Sequence, residues 1–181
     1  MSISRSVYAV KTFSGTALGM LCFSIGVGLT GSAWALQVGG KTYFEHVPVL
    51  TRAYTDNVSA TYSYAHYSFD VDIPQNSGEP LGGLTITIPE AIALPSAESI
   101  KVTDKAGKPI TVQTAFQERT AQLTFSQPVA PGEKITVVMY PMSNPHIGGT
   151  FLFDISALPA GSDPHAQRLG FGRLTFSQSV K

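Results

Sequence analysis

From Lys41 onward, hydrophobic and polar positions alternate with period two. Leu84, Ile86 and Ile88 interleave with Thr85 and Thr87, and Ala121, Leu123 and Phe125 with Gln122, Thr124 and Ser126. Ile135, Val137 and Met139 follow the same rule. Strict alternation marks a strand with one dry and one wet face. A longer strand is predicted over Thr61–Ile73, with Ala65, Tyr67, Phe69, Val71 and Ile73 inward and Tyr62, Tyr64, His66, Ser68, Asp70 and Asp72 outward. Further strands are predicted near Lys41–Phe44, Leu50–Tyr54, Ser99–Thr103, Ile110–Phe116, Thr150–Ile155 and Leu169–Phe176.

Turn residues separate these runs at short intervals. Asn76-Ser77-Gly78-Glu79-Pro80, Lys105-Ala106-Gly107-Lys108-Pro109 and Pro131-Gly132-Glu133 each sit between apolar stretches. The stretch Val102–Ile110 reads as a hairpin, and only Pro89–Ser99 leaves room for a helical turn, limited by Pro95. About nine short strands punctuated this way predict an all-β fold, a single immunoglobulin-like (Greek-key) antiparallel β-sandwich. Its core is expected to include Phe69, Val71, Leu84, Ile86, Ile88, Leu123, Phe125, Ile135 and Val137.

The first 35 residues follow a different pattern. Arg5 and Lys11 precede a mostly apolar run from Ala17 to Leu29, which ends in Gly31, Ser32 and the triplet Ala33-Trp34-Ala35. That order is the pattern of a secretory signal peptide cut after Ala35. The run falls short of the roughly 20 residues a membrane span needs. Gly19-Met20-Leu21 before Cys22 is a poor lipobox. The expected division is therefore residues 1–35 as signal peptide and residues 36–181 as the sandwich domain. The expected location is the periplasm, the cell envelope or the extracellular space, with no membrane span after cleavage. Cys22, the only cysteine, leaves with the signal, which excludes an intrachain disulfide and thiol chemistry. Of the 12 basic residues, Arg5 and Lys11 leave with it, so ten remain against 12 acidic ones. Without a basic stripe to release counterions, nucleic acid is excluded as a partner.

Five phrases from Gly78 onward occur together in a known order. They are Gly78-Glu79-Pro80-Leu81, Val129-Ala130-Pro131-Gly132, Asn144-Pro145 with Gly148-Gly149-Thr150-Phe151-Leu152-Phe153, Leu158-Pro159-Ala160-Gly161, and Gly170-Phe171-Gly172-Arg173-Leu174 after Leu169. In this order and spacing the chain resembles the secreted cyanobacterial family known as domain of unknown function 2808. The sequence departs from the family's pattern at Ser177, where an aromatic residue is expected after Phe176. The resemblance implies a small exported domain and brings no activity, cofactor or catalytic residue with it.

Candidate chemistry is sparse. No Gly-x-Ser-x-Gly elbow occurs, and His46, His66, His146 and His165 are scattered, so no catalytic residue is assigned. Asp70 and Asp72 share a strand face at about 7 Å, a spacing open to Ca²⁺ or to a glycosidase acid pair. Met139, Met142 and His146 offer soft ligands of the kind that suit Cu(I), although Met139 shares the dry face. Tyr62 and Tyr64, with His66 next in line and Tyr54 before them, form an outward aromatic ladder suited to sugar rings or a protein surface. Arg173 either pairs with a carboxylate such as Asp154 or Glu79, or holds a carboxylate or sulfate of an acidic ligand.

The reading favoured by these residues is an exported, non-enzymatic binding or structural domain with no metal and no cofactor. Its candidate binding residues are Tyr62, Tyr64, His66 and Arg173, and its expected partner is an envelope polysaccharide or an envelope protein. The alternatives are an enzyme acting on envelope glycans through Asp70 and Asp72, and a periplasmic copper-binding protein.

Overall fold

A computed structural model describes residues 36–178. The signal peptide expected over residues 1–35 lies outside them. The first strands are β1 (Leu36–Val38), β2 (Lys41–Tyr43), β3 (Val49–Thr55), β4 (Ser63–Asp72), β5 (Leu81–Thr87) and β6 (Ile100–Asp104). The rest are β7 (Pro109–Ile110), β8 (Val112–Gln117), β9 (Thr120–Val129), β10 (Lys134–Ser143), β11 (Gly149–Pro159) and β12 (Gln167–Phe176). A 3-10 turn at Ala97–Ser99 falls inside the one segment expected to have room for a helical turn. Among the described residues no helix is long and apolar enough to cross a membrane.

Two five-stranded sheets make the sandwich, ordered β3-β4-β10-β6-β7 and β12-β11-β5-β9-β8, and every strand pairing within them is antiparallel. The chain crosses repeatedly between the sheets, with β3-β4, β6-β7 and β10 in one and β5, β8-β9 and β11-β12 in the other, which gives the immunoglobulin-like, Greek-key arrangement. The small β1-β2 hairpin, joined by Gly39-Gly40, was not legible beforehand. It contacts the body through Thr42, whose N–H donates to the Asp163 carbonyl at 2.9 Å.

The alternating residues turn inward as their period requires. Phe69, Val71, Leu84, Ile86, Ile88, Leu123, Phe125, Ile135 and Val137 are all buried, as are Ala65, Tyr67 and Ile73. At about 1.5–3 kcal/mol for each large apolar side chain, this face holds the register, because a one-residue slip would turn it to water. Aromatic rings interlock at the centre, with Phe153 lying 5.2 Å from Phe69 and 5.9 Å, edge-on, from Tyr67.

The hairpin predicted over Val102–Ile110 forms, with Val102 opposite Ile110, and the Asp104 carboxylate accepts the N–H groups of Ala106 and Lys108 in its turn. The single strand expected over Ile110–Phe116 is instead two. The chain leaves one sheet after β7 and enters the other at β8, bending at Thr111, whose carbonyl accepts the Ser126 N–H at 3.0 Å.

Candidate functional site

The tyrosine ladder lies at the end of the sandwich where the β3–β4 connection, the end of β10 and the loop before β11 meet. Tyr62 does not belong to β4, contrary to the expectation of a strand beginning at Thr61. Thr61 and Tyr64 both take left-handed backbone angles, with φ of 69° and 81°, so regular pleating starts only after them. The β4–β10 ladder is irregular at the same place. Met142 faces Ala65 and Met139 faces Tyr67, which leaves Tyr140 and Pro141 opposite the lone His66, while Tyr64 is the extra residue on β4. Proline lacks the N–H a regular ladder needs, and a bulge is where it is tolerated.

These irregularities push rings outward. Tyr62, Tyr64 and Tyr140 are 42%, 65% and 43% exposed. Tyr140, missed in the sequence, stacks face to face on His66 with centroids 3.9 Å apart and planes 7° apart. Its one legible signal is the proline that follows it. The imidazole Nδ1 of His66 lies 2.7 Å from the Asp56 carboxylate, whose other oxygen accepts the His66 backbone N–H at 2.8 Å. Partial burial pushes the Asp56 carboxyl up, but the His66 hydrogen bonds and charge prevail and hold it below its ordinary value.

Beneath the rings, Asn144 ties the loops together. It is buried, its Oδ1 accepts the Tyr67 hydroxyl at 2.8 Å, and its Nδ2 donates to the carbonyls of Asn57 and Ser59 at 3.0 and 2.8 Å. Its own N–H donates to the Tyr62 carbonyl, and the Thr61 N–H donates to the Pro145 carbonyl. The site therefore stands on a bonded frame.

Arg173 lies elsewhere, on the outer face of β12, and it pairs with neither carboxylate proposed for it. Asp154 is taken by Arg168, whose Nε donates to Oδ1 at 2.7 Å. Glu79 is buried; that burial, with the charge of Glu45 nearby, raises its carboxyl above its ordinary value. Arg173 is exposed and makes no ion pair among the described residues. It lines a shallow depression of about 200 Å³ between β3 and β12.

The remaining candidates do not converge. Asp70 accepts the Thr136 hydroxyl at 2.8 Å, and Asp72 lies 2.5 Å from the Lys134 ammonium, so the neighbouring strand engages both acids. Met139 and Met142 are buried while His146 is exposed on the following loop. A hollow of about 620 Å³ opens at the opposite edge near Asp104, Lys108 and Glu133 and holds none of the expected site residues.

Solved structures of like shape are distant relatives at most. A bacterial hydrophobin, BslA, is 12% identical with a TM-score of 0.48, over 75% of this chain and 98% of its own. An uncharacterized Nocardia farcinica protein with an immunoglobulin-like fold is 16% identical with a TM-score of 0.46, over 70% and 96%. The collagen-binding domain of a Staphylococcus aureus adhesin is 9% identical with a TM-score of 0.38, over 63% and 87%. At such identities and scores the likeness carries nothing about activity or partner. No curated protein matches the chain. Residues 41–176 match the family described as Protein of unknown function (DUF2808), and the chain belongs to that family.

Proposed function

We propose that the chain is an exported, non-enzymatic binding domain of the cell envelope or the space outside it. In this reading Tyr62, Tyr64, His66 and Tyr140 grip an envelope polysaccharide. The observation that carries the proposal is the set of exposed rings at one end of the sandwich, with Tyr140 stacked on His66, above a bonded frame of loops. Flat rings with a hydroxyl or imidazole handle cover the C–H face of a sugar and bond its hydroxyls. The left-handed backbone at Tyr64, unfavourable for a bulky residue, is the kind of strain that collects at binding sites. Asp56 fixes the His66 ring, so less freedom is lost when a ligand docks.

The test is retention of the full-length protein on the polysaccharide fraction of the envelope of its own cells. A Tyr62→Ala, Tyr64→Ala double variant should lose retention with an almost unchanged melting temperature, since exposed side chains usually alter stability by less than ~0.5 kcal/mol. Unchanged retention would return the rings to a structural role. So would a fall in stability of about 0.2–1 kcal/mol per lost cross-strand contact with no specific binding defect.

A further inference from the structure

The seam between β3 and β12 carries two guanidinium groups, those of Arg52 and Arg173, that make no ion pair among the described residues. These strands are edges of different sheets, lying side by side with no ladder between them. The depression along the seam is lined by Leu50, Thr51, Arg52, Ala53, Phe171 and Arg173.

Each edge carries a bulge beside the depression. In β3, Leu50 opposes Val71 and Arg52 opposes Asp70, so Thr51 is an extra residue. In β12, Gly170 opposes Ile155 and Arg168 opposes Ser156, so Leu169 is extra, and Gly170 takes a φ of 132° that disfavours other residues. Strict alternation would send Arg168 and Phe171 to opposite faces. The extra residue puts them on one, and the Arg168 guanidinium carbon sits 3.9 Å from the centre of the Phe171 ring. Across the seam, Arg52 sits 4.0 Å over Tyr54. Arg168 has Asp154 as counterion, but Arg52 and Arg173 make no ion pair among the described residues. Asp70, opposite Arg52, gives its carboxylate to Thr136 instead. No acidic residue lines the depression, and Phe171 remains 50% exposed beside it.

We propose that this seam binds an anionic sugar unit of a polysaccharide, its carboxylate or sulfate held by Arg52 and Arg173 and its ring laid against Phe171. A guanidinium fork matches either anion with two parallel hydrogen bonds. The exposed phenyl supplies the apolar platform. A volume of about 200 Å³ is below the ~300 Å³ where pockets for drug-sized ligands begin, which fits one unit of a chain. The inference does not rest on the tyrosine end, with which the seam shares no residue.

The experiment measures binding of the full-length protein to polygalacturonate, dextran sulfate and neutral dextran in low salt. Binding to either polyanion, weakened by salt and absent with neutral dextran, is expected, and the polymer preferred identifies the anion. Replacing both arginines (Arg52→Gln, Arg173→Gln) should weaken binding at least about tenfold at unchanged melting temperature. A Lys105→Gln, Lys108→Gln variant removes the same charge at another edge and should bind as before. Should the double arginine variant fold poorly, Arg173→Gln alone serves, because that exposed side chain makes no ion pair to lose. Binding to neither polyanion, equal binding to neutral dextran, or equal losses from the arginine and lysine variants would overturn the proposal. The Tyr62→Ala, Tyr64→Ala variant should keep polyanion binding, so the two sites fail or stand separately.

Discussion

Replacing Asn144 with alanine tests whether the ring-bearing end is held by the frame described above. Asn144 is 4% exposed, and its side chain makes three hydrogen bonds: one accepted from the Tyr67 hydroxyl and two donated to the carbonyls of Asn57 and Ser59. Each is worth about 1 kcal/mol net, so Asn144→Ala should cost about 3 kcal/mol. Tyr67 makes the loss hard to repair. Its side chain is fully buried, and burial pushes its phenol well above the ordinary value of 10.0. Among the described residues, the only other acceptor for its hydroxyl is the Ser143 carbonyl at 3.4 Å, a long contact. Urea unfolding of the full-length chain, followed by circular dichroism, reads the cost as a lower midpoint, shifted by about 1–2 M at unchanged slope. Tyr67→Phe should cost about 1 kcal/mol, and the double variant less than the sum of the two, since both single changes break one shared bond. A cost below ~1 kcal/mol for Asn144→Ala would refute the reasoning and leave the loops held by backbone bonds alone. Additive single and double variants would refute the Tyr67–Asn144 link specifically.

Gly172→Ala should destabilise by about 1–3 kcal/mol in the same assay, because a Cβ there would meet the buried Phe69 ring at 2.7 Å; a neutral result would show that the ring has room to move. Glu79→Gln should raise the melting temperature modestly at pH 7. The folded protein holds this carboxyl above its ordinary 4.5, so ionisation opposes folding; the gain should be full above the raised value and vanish as pH falls through the unfolded one. A gain that persists in acid would mean that charge is not its source.

The sandwich was legible because alternation is imposed by the sheet itself. Wherever a strand has one dry face, Leu84-x-Ile86 or Ile135-x-Val137 can sit in only one way, and all the core residues read from period two are buried. What could not be read was which strands neighbour one another. The placement of β10 between β4 and β6 joins residues far apart in sequence, and no local pattern encodes it. For the same reason Asp56, ten residues before His66, and Tyr140, more than seventy after it, were not seen as its partners. Asp154 was offered, with Glu79, as a partner for Arg173, but it pairs with Arg168. Counting by twos from Asp154's partner Phe171 reaches Arg173 and skips Arg168, and only the bulge at Leu169 brings Arg168 to that face.

That misassignment points to a wider property of this fold. Period two is a rule about regular ladder, and it fails where the ladder gains a residue. At Tyr64, at Tyr140-Pro141, at Thr51 and at Leu169 the backbone gains one, and the parity of everything beyond is reset. A residue at such a place is released from the choice between core and regular outer face, and it can project beyond the sheet's own surface. Among the described residues the exposed aromatic rings lie at or near those places, Tyr62, Tyr64 and Tyr140 at one end and Phe171 along the seam, where Arg52 and Arg173 line the same depression. Elsewhere the outer faces carry bonded polar pairs, as at Thr87 with Thr120, Gln122 with Gln117, and Lys134 with Asp72. The regular ladder accounts for stability and says little about recognition. Several of its interruptions are where this chain presents groups able to hold something else.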